Sequence, residues 1–182
     1  MGIVFVAGVH AVGKSTSCKH VANKYGIAHF SASSLIKAEK QNAISSDSKA
    51  VTDVDGNQEL LLKAVDRKLS QTVSHVLLDG HFTLINAIGS IESIDIELFY
   101  KLPLAGIVVY HDKPNEISVR MGERDGHTIQ PSDIAYHQNL EIEHAERVST
   151  ELGVSIKILN AFDTNGLEHS VSQWLLGDRP SV

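Results

Sequence analysis

Two hydrophobic patterns alternate along this chain. Short continuous apolar runs, Ile3 to Ala7, Val76 to Leu78 and Ala105 to Tyr110, read as strands covered on both faces, as in a parallel sheet. Ile27 to Phe30 and Val154 to Leu159 add two shorter candidates. Between the runs the spacing changes: Leu61, Leu62, Val65 and Leu69 recur at helical intervals and predict an amphipathic helix over Gln58–Val73. Further helices are expected over Ser15–Lys24, stopped by Gly26, and from Leu35 to about Asn42, with Ser31 to Ser34 in capping position. Others are expected over Pro114–Gly122, over Pro131–Leu152 with Gly153 ending it, and over Gly166–Leu176. The serine- and aspartate-rich stretch Ile44–Gly56 reads as a loop, as does Glu123–Gln130, and Phe82–Glu97 is mixed and yields no firm element. Alternating buried strands and helices imply a doubly wound α/β domain, uninterrupted by repeats or linkers.

Bulk properties narrow the function classes. The 182 residues suit one domain with one core. A net charge of −6 argues against broad binding to nucleic acid or an anionic membrane. No apolar run reaches membrane-spanning length. The single cysteine, Cys18, cannot form an internal disulfide and is expected to pack on the first helix. With no signal peptide ahead of the first strand, the expectation is a soluble cytoplasmic protein.

The first apolar run leads directly into chemistry. Gly8-Val9-His10-Ala11-Val12-Gly13-Lys14-Ser15-Thr16 fits G-x-x-x-x-G-K-[ST] between a strand and a helix, the pattern of a loop that cradles phosphates. Gly8 and Gly13 permit backbone angles that turn successive N–H groups inward around an anion, and the new helix adds its positive dipole end. Lys14 supplies a cation for β and γ phosphates, and Ser15 a hydroxyl for Mg²⁺. Asp79, ending the next buried run, either orients Mg²⁺ across from that loop or caps the Asp-Gly turn after it. His81 follows two residues on; it orients water or touches a phosphate, or else caps a turn. Arg120 and Arg124 lie four apart on one helix face. They either close over transferring phosphates or form a solvated helix end paired to Glu116, Glu123 or Asp125. The ten histidines have neither HExxH spacing nor a cysteine partner, so no structural zinc is expected. His137 and His144, among Glu141, Glu143 and Glu146, read as a solvated face.

On these residues the chain resembles the nucleoside monophosphate kinases. Gly8 to Thr16 (GVHAVGKST) is similar to the phosphate loop of the archaeal-type enzymes. Asp79-Gly80-His81 resembles the D-x-H of archaeal-type adenylate kinases and nuclear adenylate kinase-like ATPases. Arg120-x-x-x-Arg124-Asp125 is similar to their arginine-rich lid, and Pro131 to Gln138 to the start of the helix after it. The resemblance implies a single kinase domain over residues 1–182 with a five-stranded parallel core. It further implies a small acceptor-binding helical segment over about 33–72 and a short lid over about 120–131. ATP with Mg²⁺ would be the donor, a nucleotide or related small molecule the acceptor. Gly8, His10, Ala11, Val12, Gly13, Lys14, Ser15, Thr16 and His81 would hold the donor, Ser15 and Asp79 the metal, and Lys14, Asp79, Arg120 and Arg124 would be catalytic. A regulatory ATPase answering to a protein partner is the alternative, and small oligomers are compatible with either. Two departures stand out: the lid is short, with fewer arginines than the family usually has, and Ser33 to Arg67 has no arginine before Arg67, only Lys37, Lys40, Lys49 and Lys63.

Overall fold

The computed structural model describes residues 1–45, 54–71, 75–86, 88–126 and 128–177. Five strands form one parallel sheet: β1 (Ile3–Ala7), β2 (Ala28–Ser31), β3 (Val76–Asp79), β6 (Leu104–His111) and β7 (Ile156–Asn160), in the order β2-β3-β1-β6-β7. The doubly wound α/β architecture and its five-stranded core are therefore as expected. β1 is central, pairing Val6 with Asp79 on one side and with Val108 on the other. Its alternation divides the core. Ile3, Phe5 and Ala7 join one apolar cluster, Val4 and Val6 the other, and all five are buried. Each such large side chain removed from water contributes about 1.5–3 kcal/mol.

Helices cover both faces. They are α1 (Lys14–Tyr25), α2 (Ala32–Ser45), α3 (Val54–Gln71), α4 (Ile96–Tyr100), α5 (Pro114–Asp125), α6 (Pro131–Leu152) and α7 (Thr164–Val171), the last continued by a π-helical turn at Ser172–Leu176. α1, α5 and α6 each close on a left-handed glycine, Gly26, Gly126 and Gly153.

Several boundaries differ from the sequence expectation. α2 starts at Ala32, so Ser31 ends β2 instead of leading a capping stretch. α3 begins at Val54, inside the stretch expected to be a loop; the remainder of that loop, 46–53, lies outside the described residues. α5 continues through Asp125, which carries Arg124 on the same helix as Arg120. The mixed stretch after β3 holds an antiparallel hairpin, β4 (Thr83–Ile85) with β5 (Ile91–Ser93), and then α4. Its apolar residues serve a local aromatic cluster: Phe82 stacks on Phe99 at 4.7 Å and meets Phe5 edge-on at 5.1 Å. That packing pins the turn after β3, and with it His81.

Candidate functional site

The phosphate loop runs from the end of β1 into α1. Gly8 has φ of 132° and Gly13 of 99°; a Cβ on Gly8 would lie 2.4 Å from the Tyr110 carbonyl, and one on Gly13 2.6 Å from the Phe162 ring. Only glycine fits either place. A cavity of about 400 Å³ opens over the loop. His10 to Thr16, Asp79, His81, Arg120, Arg124 and Phe162 line it. The structure thus brings together every residue singled out from the sequence except Gly8, which lies beneath as the loop's first hinge.

Lys14 is buried and donates from Nζ to the carbonyls of Gly8 and Val9. Burial pulls its ammonium down to about 8, against the raising influence of Glu141 and Asp79. Arg120 donates from Nε to the Ala11 carbonyl at 2.9 Å and from Nη2 to Asp112 at 2.6 Å, with its guanidinium 5.2 Å from the Phe162 ring centre. Arg124 makes two bonds of 2.7 Å to Asp125. Both arginines therefore face the cavity and are also paired to acids: Arg124 takes one of the partners considered from the sequence, Arg120 does not. His127, beyond them, lies outside the described residues.

Asp79 accepts a bond of 2.6 Å from His29 Nε2. A capped Asp-Gly turn is not its environment; it stands buried at the end of β3, in register with Val6 and facing the loop. The Ser15 hydroxyl and the Asp79 carboxylate line one cavity and form an oxygen set that suits a hard divalent cation such as Mg²⁺. Cys18, His29 and Asp79 also bring one potential ligand atom each within 4.8 Å of one another. Burial pushes the Cys18 thiol far up, so it stands protonated and packs into the core from the inner face of α1.

The sequence reading missed what lies under the loop. Glu141, expected on a solvated face, is 1% exposed, and its carboxylate accepts from Gly8 N at 3.2 Å, Phe82 N at 2.9 Å, Thr83 N at 2.7 Å and the Thr83 hydroxyl. It ties the loop's first glycine to the turn that follows Asp79. His137 and His144 are likewise buried: His137 Nε2 lies 3.0 Å from Thr83 Oγ1, and His144 donates to the Ile94 carbonyl at 2.6 Å. The signal was present in the spacing. Ile134, His137, Gln138, Glu141, His144, Ala145 and Val148 form one helical stripe, and their apolar members mark it as the inner face. His10 and His81 pack ring to ring at 4.5 Å, and burial together with Lys14 lowers the basicity of both. His81 Nδ1 is 3.8 Å from Glu141 and has no hydrogen-bond partner among the described residues.

A second cavity of about 550 Å³ adjoins the first at His10, between the hairpin and α5 and α6. No helix among the described residues is long and apolar enough to cross a membrane.

Comparison with known proteins agrees with this geometry. Residues 7–135 match the family model described as AAA domain. Over 123 residues the chain is 28% identical to the probable adenylate kinase 2, chloroplastic, of Oryza sativa subsp. japonica; the match takes in 64% of this chain and 40% of that protein, well under half its length. Among solved structures, a gluconokinase from Sinorhizobium meliloti 1021 superposes with a TM-score of 0.55 at 19% identity, over 96% of this chain and 91% of that one. An unliganded sugar kinase from Janibacter sp. HTCC2649 superposes with a TM-score of 0.56 at 18% identity, over 96% and 94%. At such identities the likeness is one of fold.

Proposed function

The chain belongs to the AAA domain family, and from that premise we propose that it is an ATP-dependent phosphotransferase, moving the γ-phosphoryl group of ATP·Mg²⁺ to a small-molecule acceptor. One observation carries the reading: Lys14, Arg120 and Arg124 converge with Asp79 on a single cavity built over a phosphate loop and a helix N-terminus. The probable adenylate kinase named above, and the gluconokinase and the sugar kinase that share the fold, support the reaction class. The resemblance of the motifs suggests a nucleoside monophosphate as acceptor.

In this reading the loop's N–H groups and Lys14 hold the β and γ phosphates. The Lys14 ammonium exchanges its contacts with the Gly8 and Val9 carbonyls for phosphate oxygens. Ser15 and Asp79 would hold Mg²⁺, which when bound neutralises phosphate charge. Arg120 and Arg124 stabilise charge on the transferring group, and residues of about 120–131 act as a lid that excludes water. α2 and α3, within about 33–72, form the acceptor side. The whole of 1–182 then works as one kinase domain. Phosphoryl transfer is mainly positioning and charge neutralisation, so no strong base is required.

The test is transfer from radiolabelled ATP·Mg²⁺ to a panel of small acceptors, with Lys14→Ala as control. A labelled product that disappears in the control is expected. Free phosphate alone would instead favour a regulatory ATPase responding to a protein partner, a reading that draws on the unpartnered His81 Nδ1 as a seat for hydrolytic water.

A further inference from the structure

A third cavity, of about 90 Å³, runs from the phosphate cavity under α2 and α3. It shares Ser33 and His81 with the phosphate cavity and ends against Phe5, Ile36, Leu61 and Leu98. Two of its wall residues, Asn57 and His81, carry the buried side-chain atoms that lack a hydrogen-bond partner among the described residues: Asn57 Oδ1 and His81 Nδ1. Leaving such an atom unmet costs about 1–3 kcal/mol. Two of them in one small, mostly apolar wall mark a place where a ligand completes the bonding. Resting on the phosphotransferase reading above, but with another acceptor than the nucleoside monophosphate that the motifs suggest, we propose that the phosphoryl acceptor is a small uncharged hydroxyl compound with an apolar body. Its reacting hydroxyl meets His81 Nδ1, and a second donor, hydroxyl or N–H, meets Asn57 Oδ1.

Charge supports this class over a monophosphate. No lysine or arginine among the described residues lines the cavity, and Arg67, on α3, is paired with Glu39. A phosphate dianion placed there would lose its hydration without a cation to replace it. Size limits the body as well. An apolar cavity of about 150 Å³ accommodates benzene, so about 90 Å³ admits a short chain and no ring. The wider cavity beside His10 offers no unmet side-chain atom among its described residues; its inner histidine, His137, is engaged by Thr83.

The position also suits the chemistry. His81 borders both cavities, so a hydroxyl bound at Nδ1 lies next to the phosphates. The acceptor oxygen forms a bond to the γ phosphorus, the bond from that phosphorus to the β–γ bridging oxygen breaks, and ADP leaves with the electron pair. The hydroxyl proton passes to an oxygen of the transferring phosphoryl group, and the contact with His81 Nδ1 orients the hydroxyl for attack.

The experiment measures ADP release by the full chain with ATP·Mg²⁺ and four acceptors: propane-1,3-diol and butane-1,3-diol, which are uncharged, and AMP and gluconate, which are not. We expect kcat/KM for an uncharged acceptor to exceed that for either anion by about tenfold or more, with Asn57→Leu raising the butane-1,3-diol KM by about the same factor. Ile91→Trp, which fills the wider cavity, should move that KM far less. If Asn57→Leu does not fold, the His81 imidazole NMR signal of the unaltered protein, titrated with butane-1,3-diol beside a non-hydrolysable ATP analogue, reads the same contact; a signal that stays still overturns the proposal. Preferred transfer to AMP or gluconate overturns it too and leaves the kinase reading standing. A KM that follows Ile91→Trp and ignores Asn57→Leu overturns the placement. ATP hydrolysis without transfer to any acceptor overturns both.

Discussion

His81 separates two regions that handle charge in opposite ways. On the phosphate-loop side, Lys14, Arg120, Arg124 and Asp79 surround a cavity of about 400 Å³. Under α2 and α3 the neighbouring cavity has apolar walls, and the two unmet atoms there, Asn57 Oδ1 and His81 Nδ1, belong to neutral groups. The first arrangement suits a polyanion whose charge must be neutralised at fixed points. The second discriminates by desolvation: whatever enters must already be uncharged and must bring its own donors. The difference assigns affinity to one side and selectivity to the other.

Removing the central cation should have the largest effect. A charge about 4 Å from a phosphate contributes roughly 4 kcal/mol at an effective dielectric near 20. Lys14→Ala is therefore expected to lower ATP turnover by about 10³-fold, read as ADP release under saturating acceptor. A variant that kept a tenth of its activity would remove the charge-based contrast between the two sides.

Next comes the support shared by both sides. Glu141 holds Gly8 on one flank and Phe82 and Thr83 on the other. Glu141→Ala strands those donors in a buried site and should destabilise the fold by about 3–5 kcal/mol in urea unfolding. It should also impair donor and acceptor binding together; an effect on one alone would mean that the two cavities are held independently.

Legibility in the sequence followed whether a residue's job is local. Gly8 to Thr16 act through their own backbone and helix start, so spacing alone located them. Asp79 was legible because a buried apolar run ended in an acid. Glu141 was not, because its partners sit 133 and about 58 positions away and its neighbours Glu143 and Glu146 make the stretch look wet. Only the helical phase of Ile134, Ala145 and Val148 distinguishes the inner face. Phe162 and Asn57 had no signal at all. Each matters through what the fold places beside it: Arg120 for the one, His81 and an apolar cleft for the other. The hairpin after β3 escaped because its strands are three residues long, too short for alternation to show.

The two arginines should separate. Arg120 is fixed by Ala11 and Asp112 and is about a quarter exposed, whereas Arg124 is 54% exposed and paired with its sequence neighbour. Arg120→Ala is expected to lower kcat/KM for ATP by about 30–100-fold, and Arg124→Ala by less, since solvent screens the latter's ground-state contacts. A larger loss at Arg124 would mean that it swings inward during transfer.

pH tests the same asymmetry. Lys14 has its pKa lowered from 10.5 to about 8. Between those values the unfolded chain binds more protons than the folded one, so the ligand-free protein gains stability as pH rises through that window. Nucleotide binding needs the ammonium form, so ATP affinity should fall by up to about tenfold per unit above pH 8. Binding of an uncharged acceptor, measured by titration, should stay flat over the same range.

The smallest expected effect concerns Phe162. Its ring lies under the Arg120 guanidinium and against Gly13, at the edge of the phosphate cavity. Replacing it with leucine keeps the apolar contact but removes the aromatic face, a difference of about 0.5–1 kcal/mol. Phe162→Leu should therefore raise the KM for ATP by only a few fold. A flat ring offers the same face to any base, so KM for GTP should shift by an equal factor. Unequal shifts would show that this corner reads the base edge, and the donor side would then discriminate by more than charge.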